Sequence, residues 1–157
     1  MRTLVTSVAA IALLVTTLSF VPTVADDDNK EDKVDFSKVK CLVNPKAKAK
    51  EDKVADYKGG KVYTCCGGCL AKFKKSPEKF ATMANHQLVS TKQFKQAKCP
   101  ISGGKINASK TCEVGGVKVA FCCGKCQGKV AGAKGKEQAE LVFGEKAFKN
   151  GFVAAKK

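Results

Sequence analysis

A cysteine signature that occurs twice constrains this 157-residue chain more than any other feature. Residues 61–69 read KVYTCCGGC, and residues 118–126 read KVAFCCGKC. In each copy a short run typical of a β-strand leads into two adjacent cysteines, and a third cysteine follows after two further residues. Six of the nine cysteines lie in these two stretches. A signature that returns in this form predicts a tandem repeat of one structural unit.

Each copy also has a cysteine far upstream, at nearly the same distance. Cys41 precedes Cys65, Cys99 precedes Cys122, and the two intervals differ by a single position. Two units of about 55 residues each bury little apolar surface, and units of that size usually depend on disulfides or metal ions. We therefore expect the cysteines to have at least a structural role.

The segments before the paired cysteines predict two β-hairpins. In the first copy, residues 54–57 and 61–64 are short apolar runs on either side of Lys58-Gly59-Gly60. In the second copy, residues 113–119 contain the same arrangement around Gly115-Gly116. Two apolar runs separated by a glycine turn are typical of a hairpin. In both copies the paired cysteines follow the second strand.

Helical patterns follow each cysteine cluster. The first copy predicts a helix over about 69–75 and a second over about 77–85, because Ser76 suits an N-cap and Pro77 the first helical position. The second copy predicts a weak, glycine-interrupted helix and then a better one over about 136–143. Two later side chains are expected to pack back onto the core: Phe148 and Phe152. The predicted fold class is α+β, with two small modules that each consist of a β-hairpin followed by short helices.

The N-terminal segment, residues 1–25, has the pattern of a cleaved signal peptide. Arg2 gives a positive start, residues 4–20 are largely apolar, and residues 23–25 offer a small-residue cleavage site. An uncleaved membrane anchor is the alternative, although hydroxyl side chains dilute the apolar run that a span requires. The predicted organisation is a signal peptide (1–25), a disordered acidic N-terminus (26–35), a first module (36–86), a linker (87–97), a second module (98–152) and a tail (153–157). We expect a secreted or periplasmic protein with no membrane span after cleavage.

The charge balance narrows the classes of partner. The chain has 29 lysine and arginine residues against 14 acidic residues, a formal net charge of +15, and Arg2 is its only arginine. Proteins that read nucleic acids usually contact guanine and phosphate through arginine. A surface of lysines therefore argues against a nucleic-acid partner and fits weak attraction to an acidic protein or an anionic surface.

The chain offers little for enzymatic chemistry. His86 is the only histidine, and no arrangement of histidine, serine or paired carboxylates supports a hydrolase. We expect no enzymatic activity. His86 is expected to be a solvated surface residue, and a metal-ligand role is the alternative, because imidazole suits zinc and copper.

The cysteines at the end of each hairpin fit a metal site. A helix that begins near Cys69 brings partial positive charge to the sulfurs and so favours thiolates, which bind thiophilic ions such as Zn²⁺ and Cu⁺. Gly67 and Gly68 leave space beside the sulfurs. Successive strand residues point to opposite faces, so either Cys65 or Cys66 converges with Cys69, and the sequence does not decide between them.

These residues resemble the YHS domain and the related TRASH-like domain, which are small cysteine-bearing modules of metal-handling proteins. In the first copy the matching positions are Cys41, Tyr57 to Tyr63, Cys65, Cys69, Phe73 and Ser76 to Phe80. In the second copy they are Cys99-Pro100, residues 119–121, Cys122 and Cys126. The second copy has Val130 in place of the helix phenylalanine and lacks the Pro-Glu-Lys step. The resemblance covers roughly residues 36–150.

The resemblance implies treble-clef-like modules that bind metal. It implies one ligand set of Cys41, Cys65 and Cys69, and a second of Cys99, Cys122 and Cys126. Cys66 and Cys123 are extra sulfurs, either fourth ligands or reactive partners. Cys112 has Ala55 as its counterpart in the first copy, and this odd cysteine is a further candidate ligand of the second site.

The sequence thus predicts an exported, non-enzymatic protein that sequesters or delivers zinc or copper through two cysteine-rich modules. Two other functions stay open. Cysteines of exported proteins commonly pair, so the chain is alternatively a disulfide-stapled interaction module with a basic surface. It is also alternatively a thiol redox protein, because residues 66–69 and 123–126 have Cys-x-x-Cys spacing.

Overall fold

The computed structural model describes residues 34–156. The predicted signal peptide and almost all of the predicted acidic N-terminus lie outside the described residues. The elements are β1 (Lys50–Tyr57), β2 (Gly60–Thr64), α1 (Gly67–Lys75), a 3₁₀ turn (Pro77–Phe80), α2 (Ala81–Ser90), β3 (Phe94–Gln96), β4 (Asn107–Val114), β5 (Val117–Phe121), α3 (Gly124–Gly132), α4 (Gly135–Phe143), α5 (Glu145–Gly151) and β6 (Phe152–Ala154). The α+β prediction is confirmed, with small β-hairpins and five α-helices among these residues.

The two hairpins are copies of one another in register as well as in sequence. β1 pairs with β2 and β4 pairs with β5, both antiparallel. In the first hairpin the register shifts between Lys50 and Val54, and in the second it shifts between Asn107 and Thr111, which are the equivalent positions when the two cysteine signatures are aligned. A bulge of this kind bends a strand and increases its twist. The repeat that the cysteines indicate therefore extends to the irregularities of the strands.

The turn of the first hairpin lies one residue earlier than its Gly-Gly pair suggests. Its central residues are Lys58 and Gly59, with φ of 51° and 79°, and their counterparts Gly115 and Gly116 have φ of 61° and 84°. Positive φ at both central residues is the geometry of a tight hairpin turn that matches the strand twist. Gly60 instead belongs to β2.

Gly60 lies directly against α2, and a side chain at this position would force its neighbours to shift. A Cβ at this position would lie 2.6 Å from Leu88 Cδ2 and 2.9 Å from Gln93 Oε1. At Gly115 a Cβ would lie 2.7 Å from His86 Nε2. Residues of the α2 region thus approach both hairpins at glycine positions.

The helices begin and end differently from the sequence prediction. α1 begins at Gly67 rather than near Cys69. Pro77 opens a 3₁₀ turn, and α2 follows from Ala81 and continues to Ser90 instead of ending near Asn85. The extension has a physical reason, because the last turn of α2 buries Leu88 completely.

The stretch predicted as a linker, residues 87–97, has regular structure. It contains the end of α2 and the strand β3, which pairs antiparallel with β6 at the end of the second repeat. The side-chain amide of Gln87 accepts from the Tyr63 N–H and donates to the Tyr63 carbonyl. The amide of Gln96 makes the same two hydrogen bonds with Ala120. These amides satisfy strand edges that would otherwise lack partners.

Side chains of both repeats contribute to one main hydrophobic cluster. Phe148 and Phe152 belong to it, as predicted, with 3% and 5% of their surface exposed. Its other buried members include Leu42, Val62, Phe73, Leu88, Val119, Phe121, Val130, Val142 and Phe143. A smaller cluster of Val39, Ala49 and Tyr63 packs against residues from the start of the described chain. The apolar surface that one hairpin and its helix leave uncovered is thus buried against the other repeat.

Polar contacts also connect the repeats at the first hairpin turn. Lys58 Nζ lies 2.7 Å from both carboxylate oxygens of Glu145 and 3.1 Å from Asn85 Oδ1. The Asn85 amide, which is fully buried, donates to the Phe143 carbonyl at 2.8 Å. Burial works against ionisation of Glu145, but Lys58 and the Tyr57 hydroxyl outweigh it and hold the pKa of this carboxyl below its ordinary range. Since the Glu145 side chain is 59% exposed, the ion pair itself adds little stability.

Candidate metal centres

Three cysteines of the first repeat converge on one point. The sulfurs of Cys41, Cys65 and Cys69 all lie within 4.8 Å of one another, and those of Cys65 and Cys69 are 3.6 Å apart. Cys41 is fully buried, whereas Cys65 and Cys69 are half-buried. The alternative that the sequence left open is therefore resolved geometrically, because Cys65 rather than Cys66 converges with Cys69.

The junction between strand and helix explains this choice. β2 ends at Thr64, so Cys65 is the first residue beyond the strand. Cys66 then has extended backbone angles, φ −158° and ψ 167°, as the N-cap of α1. Cys69 lies in the first turn of that helix, four residues after Cys65, and this places its sulfur beside that of Cys65.

A tight turn brings Cys41 to the pair. Lys40 and Lys48 form an isolated antiparallel bridge, and the Cys41 N–H donates to the Ala47 carbonyl at 2.9 Å. Within the loop, the N–H of Asn44 donates to the Cys41 sulfur at 3.4 Å. The turn thus holds the buried sulfur in place and supplies a donor to it.

The second repeat builds the same arrangement. The sulfurs of Cys99, Cys122 and Cys126 lie within 4.8 Å of one another, with Cys122 and Cys126 3.6 Å apart. Cys99 is fully buried. Its N–H donates to the Gly104 carbonyl at 2.9 Å, and the Ser102 hydroxyl lies 3.2 Å from the Cys122 sulfur.

The difference of one position between the two cysteine spacings lies in these turns. The first turn closes between Cys41 and Ala47, and the second closes between Cys99 and Gly104, which is one residue shorter. From that point to the third cysteine the two repeats keep a constant offset. The extra residue is therefore accommodated without a change in the grouping of the sulfurs.

Both groups fit a thiophilic metal ion. Sulfurs bound tetrahedrally to zinc at about 2.3 Å are roughly 3.8 Å from one another. The separations of 3.6 Å and the upper limit of 4.8 Å bracket that value. Thiolates are the ligands that select zinc, copper(I) and related soft ions. Two three-cysteine groups close enough to hold a metal ion are thus present, while their donor set does not distinguish one soft ion from another.

Hydrogen-bond donors around the buried cysteines favour their thiolates. Burial is the largest single influence and acts in the opposite direction, because it penalises the charged form. At Cys41 the backbone N–H groups of its neighbours, led by Asn44, outweigh burial and lower the pKa below its ordinary value. At Cys99 the Ser102 hydroxyl and three backbone N–H groups lower the pKa to about 7. Each centre therefore has one buried sulfur prepared to ionise.

The helix cysteines behave in the opposite way. Burial, contacts with neighbouring sulfurs and the charge of the buried partner raise the pKa of Cys69 to about 12, and the same causes raise the pKa of Cys126 to about 12. Three crowded sulfurs do not all ionise readily unless a cation offsets their repulsion. A bound metal ion supplies that charge, so binding would release protons.

Cys66 and Cys123 lie beside the groups but outside them. Both are exposed, and their sulfurs are 3.8 Å and 3.7 Å from those of Cys65 and Cys122. The pKa of Cys66 is lowered chiefly by the backbone N–H of Cys69 at the start of α1. Cys123 has a lowered pKa for the same reason at the start of α3.

Cys112 does not join the second group. It lies on β4 opposite Val119, half-buried, and its sulfur is 3.8 Å from the Gln138 amide. Its counterpart Ala55 occupies the same place on β1 opposite Val62. Among the described residues, Cys112 is in neither of the groups whose donors are close enough to share an ion.

His86 is not the solvated residue that the sequence suggested. Its ring is half-buried, packs edge-on against Phe143 with centroids 4.9 Å apart, and its Nε2 lies 3.0 Å from the Gly115 carbonyl. It is not part of either cysteine group. Burial lowers the pKa of the His86 imidazole. This effect outweighs the nearby backbone carbonyls, which raise the pKa.

Sequence reasoning missed the polar groups of the cysteine turns. Asn44 and Ser102 each follow a buried cysteine by three positions. The backbone N–H of Asn44 donates to the Cys41 sulfur, and the Ser102 hydroxyl lies 3.2 Å from the Cys122 sulfur. The signal was available, because a turn residue at that spacing in both copies is what a loop wrapped around a thiolate requires.

All nine cysteines lie within the described residues, and all are free thiols. Between residues 34 and 156, none of the helices combines the length and the apolar character that crossing a bilayer demands. No family model matches the chain, and no match was found among curated proteins or solved structures.

Proposed function

We propose that this is an exported protein that sequesters or delivers a thiophilic metal ion, zinc or copper, through its two three-cysteine groups. The observation that carries the proposal is the duplicated convergence of three sulfurs within 4.8 Å. Two groups built with the same geometry on the same hairpin and helix are hard to explain by packing alone. The resemblance of the cysteine signature to YHS and TRASH-like modules supports the same function.

The distribution of the sulfurs supports an ion that can be exchanged. Each group combines a buried cysteine with two half-buried ones near the surface. Three protein ligands leave a position of a four-coordinate zinc ion open, and copper(I) accepts three thiolates. In this proposal the protein holds the ion in a form from which a competing ligand can remove it.

Metal content tests the proposal directly. The protein, reduced and reconstituted under anaerobic conditions with zinc or copper(I), should bind two equivalents by elemental analysis and native mass spectrometry. Cys65→Ala with Cys69→Ala should remove one equivalent, and Cys112→Ala, whose sulfur lies outside both groups, should retain two. Absence of bound metal in the reconstituted wild-type protein would falsify the proposal.

Two further assays distinguish metal handling from disulfide chemistry: a count of oxidised sulfurs by mass spectrometry and an insulin-reduction assay. Eight oxidised sulfurs in protein isolated from its native compartment would favour a disulfide-stapled interaction module. Reduction of insulin disulfides that depends on the pairs at 66–69 and 123–126 would favour a thiol redox protein. Export is tested by the mature N-terminus, which should begin at Asp26 if the signal peptide is cleaved as proposed.

A further inference from the structure

Each three-cysteine group has one exposed sulfur beside it that the group itself does not use. Cys66 is 3.8 Å from Cys65, and Cys123 is 3.7 Å from Cys122. We propose that these two sulfurs are exchange ligands, which receive a thiophilic ion from a thiolate donor, or pass it to a thiolate acceptor, on the solvent side of each centre. This inference rests on the proposed function and adds the route by which the ion moves.

In each centre the cysteines become more exposed from the buried upstream cysteine to the second cysteine of the adjacent pair. In the first, Cys41 has no exposed surface, Cys65 is half-buried and Cys66 is exposed. In the second, Cys99, Cys122 and Cys123 repeat this order. An ion held by the buried cysteine and its neighbours is therefore most accessible on the side of the exposed sulfur.

The backbone of the exposed cysteine is fixed. The Cys66 carbonyl accepts the Leu70 N–H at 3.1 Å and the hydroxyl of the buried Thr64 at 3.3 Å. The Cys123 carbonyl accepts the Gln127 N–H at 3.1 Å. The sulfur consequently changes its position mainly by rotation about its own Cα–Cβ bond, and this small movement is sufficient to approach the group or to face solvent.

The residues that follow leave the approach open. A Cβ added at Gly67, Gly68 or Gly124 would have no atom within 4 Å. The space beside these glycines, next to the exposed sulfurs, is therefore open. A donor that presents its own sulfur, whether a small thiol or a cysteine of another protein, can reach this surface.

The step is a ligand exchange without oxidation or reduction. A bond forms between the ion and the thiolate of Cys66 or Cys123, and a bond between the ion and one donor thiolate breaks. The cysteine loses its proton to solvent, and the released donor thiolate takes one up. The three grouped sulfurs then lose their protons to solvent and bind the ion, which replaces the remaining donor bonds and the bond to the exposed cysteine. The exposed cysteine takes a proton back, and the reverse sequence releases the ion to an acceptor.

Rates of metal transfer distinguish this role from that of a resident ligand. The zinc-loaded full chain is mixed with excess dithiothreitol as the thiolate acceptor, and zinc loss is followed over time. Cys66→Ser and Cys123→Ser should each slow the loss of one equivalent, and the double variant should slow both by about tenfold. Cys112→Ser, which changes a sulfur outside both groups, should leave the rates unchanged.

Two further measurements make every outcome decisive. The double variant should still bind two equivalents, because its grouped sulfurs are intact. An unchanged or faster transfer rate, or the loss of a bound equivalent, overturns the exchange role, the last by making Cys66 and Cys123 resident ligands. Failure of the wild type to bind zinc is a separate result, which rejects the proposed function itself.

Discussion

The two repeats agree from their hairpins to their first helices and then diverge. The bulges lie at equivalent positions, and the N-caps Cys66 and Cys123 have backbone angles within a few degrees of each other. After α1 the first repeat continues through a 3₁₀ turn into α2, whereas the second continues through α4 and α5. The portion that groups the sulfurs is therefore the constant portion, and the variable portion is the one that joins the repeats.

This division shows which contacts each part of the chain has to make. Sulfur grouping requires a cysteine turn, a hairpin and a helix start, and these elements are local in sequence. The repeats are joined through their later helices, and these differ between the two repeats. α2 contacts α4, α5 and the hairpin strand β2, which makes it the central element of the variable portion.

The largest expected effect contrasts two equivalent core positions. Phe73 and Val130 are the buried residues of α1 and α3. Phe73→Ala should lower the free energy of unfolding by about 3–5 kcal/mol, and Val130→Ala by roughly 2 kcal/mol, because the larger side chain leaves the larger cavity. Urea denaturation of the reduced, metal-free protein measures both. Equal losses would mean that the first repeat has no larger share of the core.

A smaller contrast concerns the glutamines that satisfy the strand edges. Gln87 is 3% exposed and bonds Tyr63 twice and the Lys40 carbonyl once, whereas Gln96 is only half-buried. Gln87→Ala should cost about 2–3 kcal/mol of unfolding free energy and Gln96→Ala about 1 kcal/mol, since buried groups left unpaired are the costly ones. The same urea titrations measure the two values, and a reversed order would contradict this account of the edges.

A third contrast concerns proton competition at the two centres. The Ser102 hydroxyl helps to lower the pKa of Cys99 to about 7, whereas backbone N–H groups are the main donors to Cys41 in the first centre. Ser102→Ala should raise the pKa of Cys99, so protons compete with the metal up to a higher pH. The pH at which the second centre is half-loaded should rise by a fraction of a unit, as measured by native mass spectrometry.

The control for this shift is Ser109→Ala in the second hairpin, which removes an exposed hydroxyl that bonds the Asn107 side chain. It should leave both loading curves unchanged. An equal shift of the first centre in the Ser102 variant would show that the hydroxyl does not act locally.

The smallest expected effect is a pH dependence of stability from His86. Burial holds its pKa below the ordinary value of 6.5, so the unfolded chain takes up a proton at a higher pH than the folded chain does. Stability should therefore be complete above about pH 6.5 and fall as the pH is lowered below it. In His86→Gln, urea midpoints of the metal-free protein should be flatter between pH 7 and 5. If the urea midpoints of His86→Gln change with pH as steeply as those of the wild type, the pH dependence of stability comes from other groups.

Local signals in the sequence predicted much of the sulfur-bearing portion. Paired apolar runs around glycines indicated both hairpins, and Ser76 with Pro77 correctly marked a new helical start. Adjacent cysteines were ambiguous, because β2 ends at Thr64 and Cys66 is already the N-cap residue of α1. Only the course of the backbone beyond Thr64 decides which sulfur turns inwards, and strand periodicity cannot supply it.

The joining portion was the part that the sequence could not predict. β3 and β6 have three residues each and pair across most of the second repeat, so they are too short and too distant for a periodic pattern. Gly60 looked like a turn residue, yet it belongs to β2, and a Cβ there would lie 2.6 Å from Leu88 Cδ2. His86 looked exposed for a similar reason, since its neighbours Phe143 and Gly115 come from the other repeat. The division into separate modules remains a prediction.

The ladder between β3 and β6 limits how this architecture can grow. In solenoid proteins each repeat contacts only its neighbours, so an array can lengthen by one copy at a time. Here the segment that receives the last strand of the second repeat is already paired, and the two repeats share a core. An additional copy could therefore not take the place of the second repeat without displacing its last strand. The structural unit is therefore the pair of repeats, which share one core and the ladder between β3 and β6.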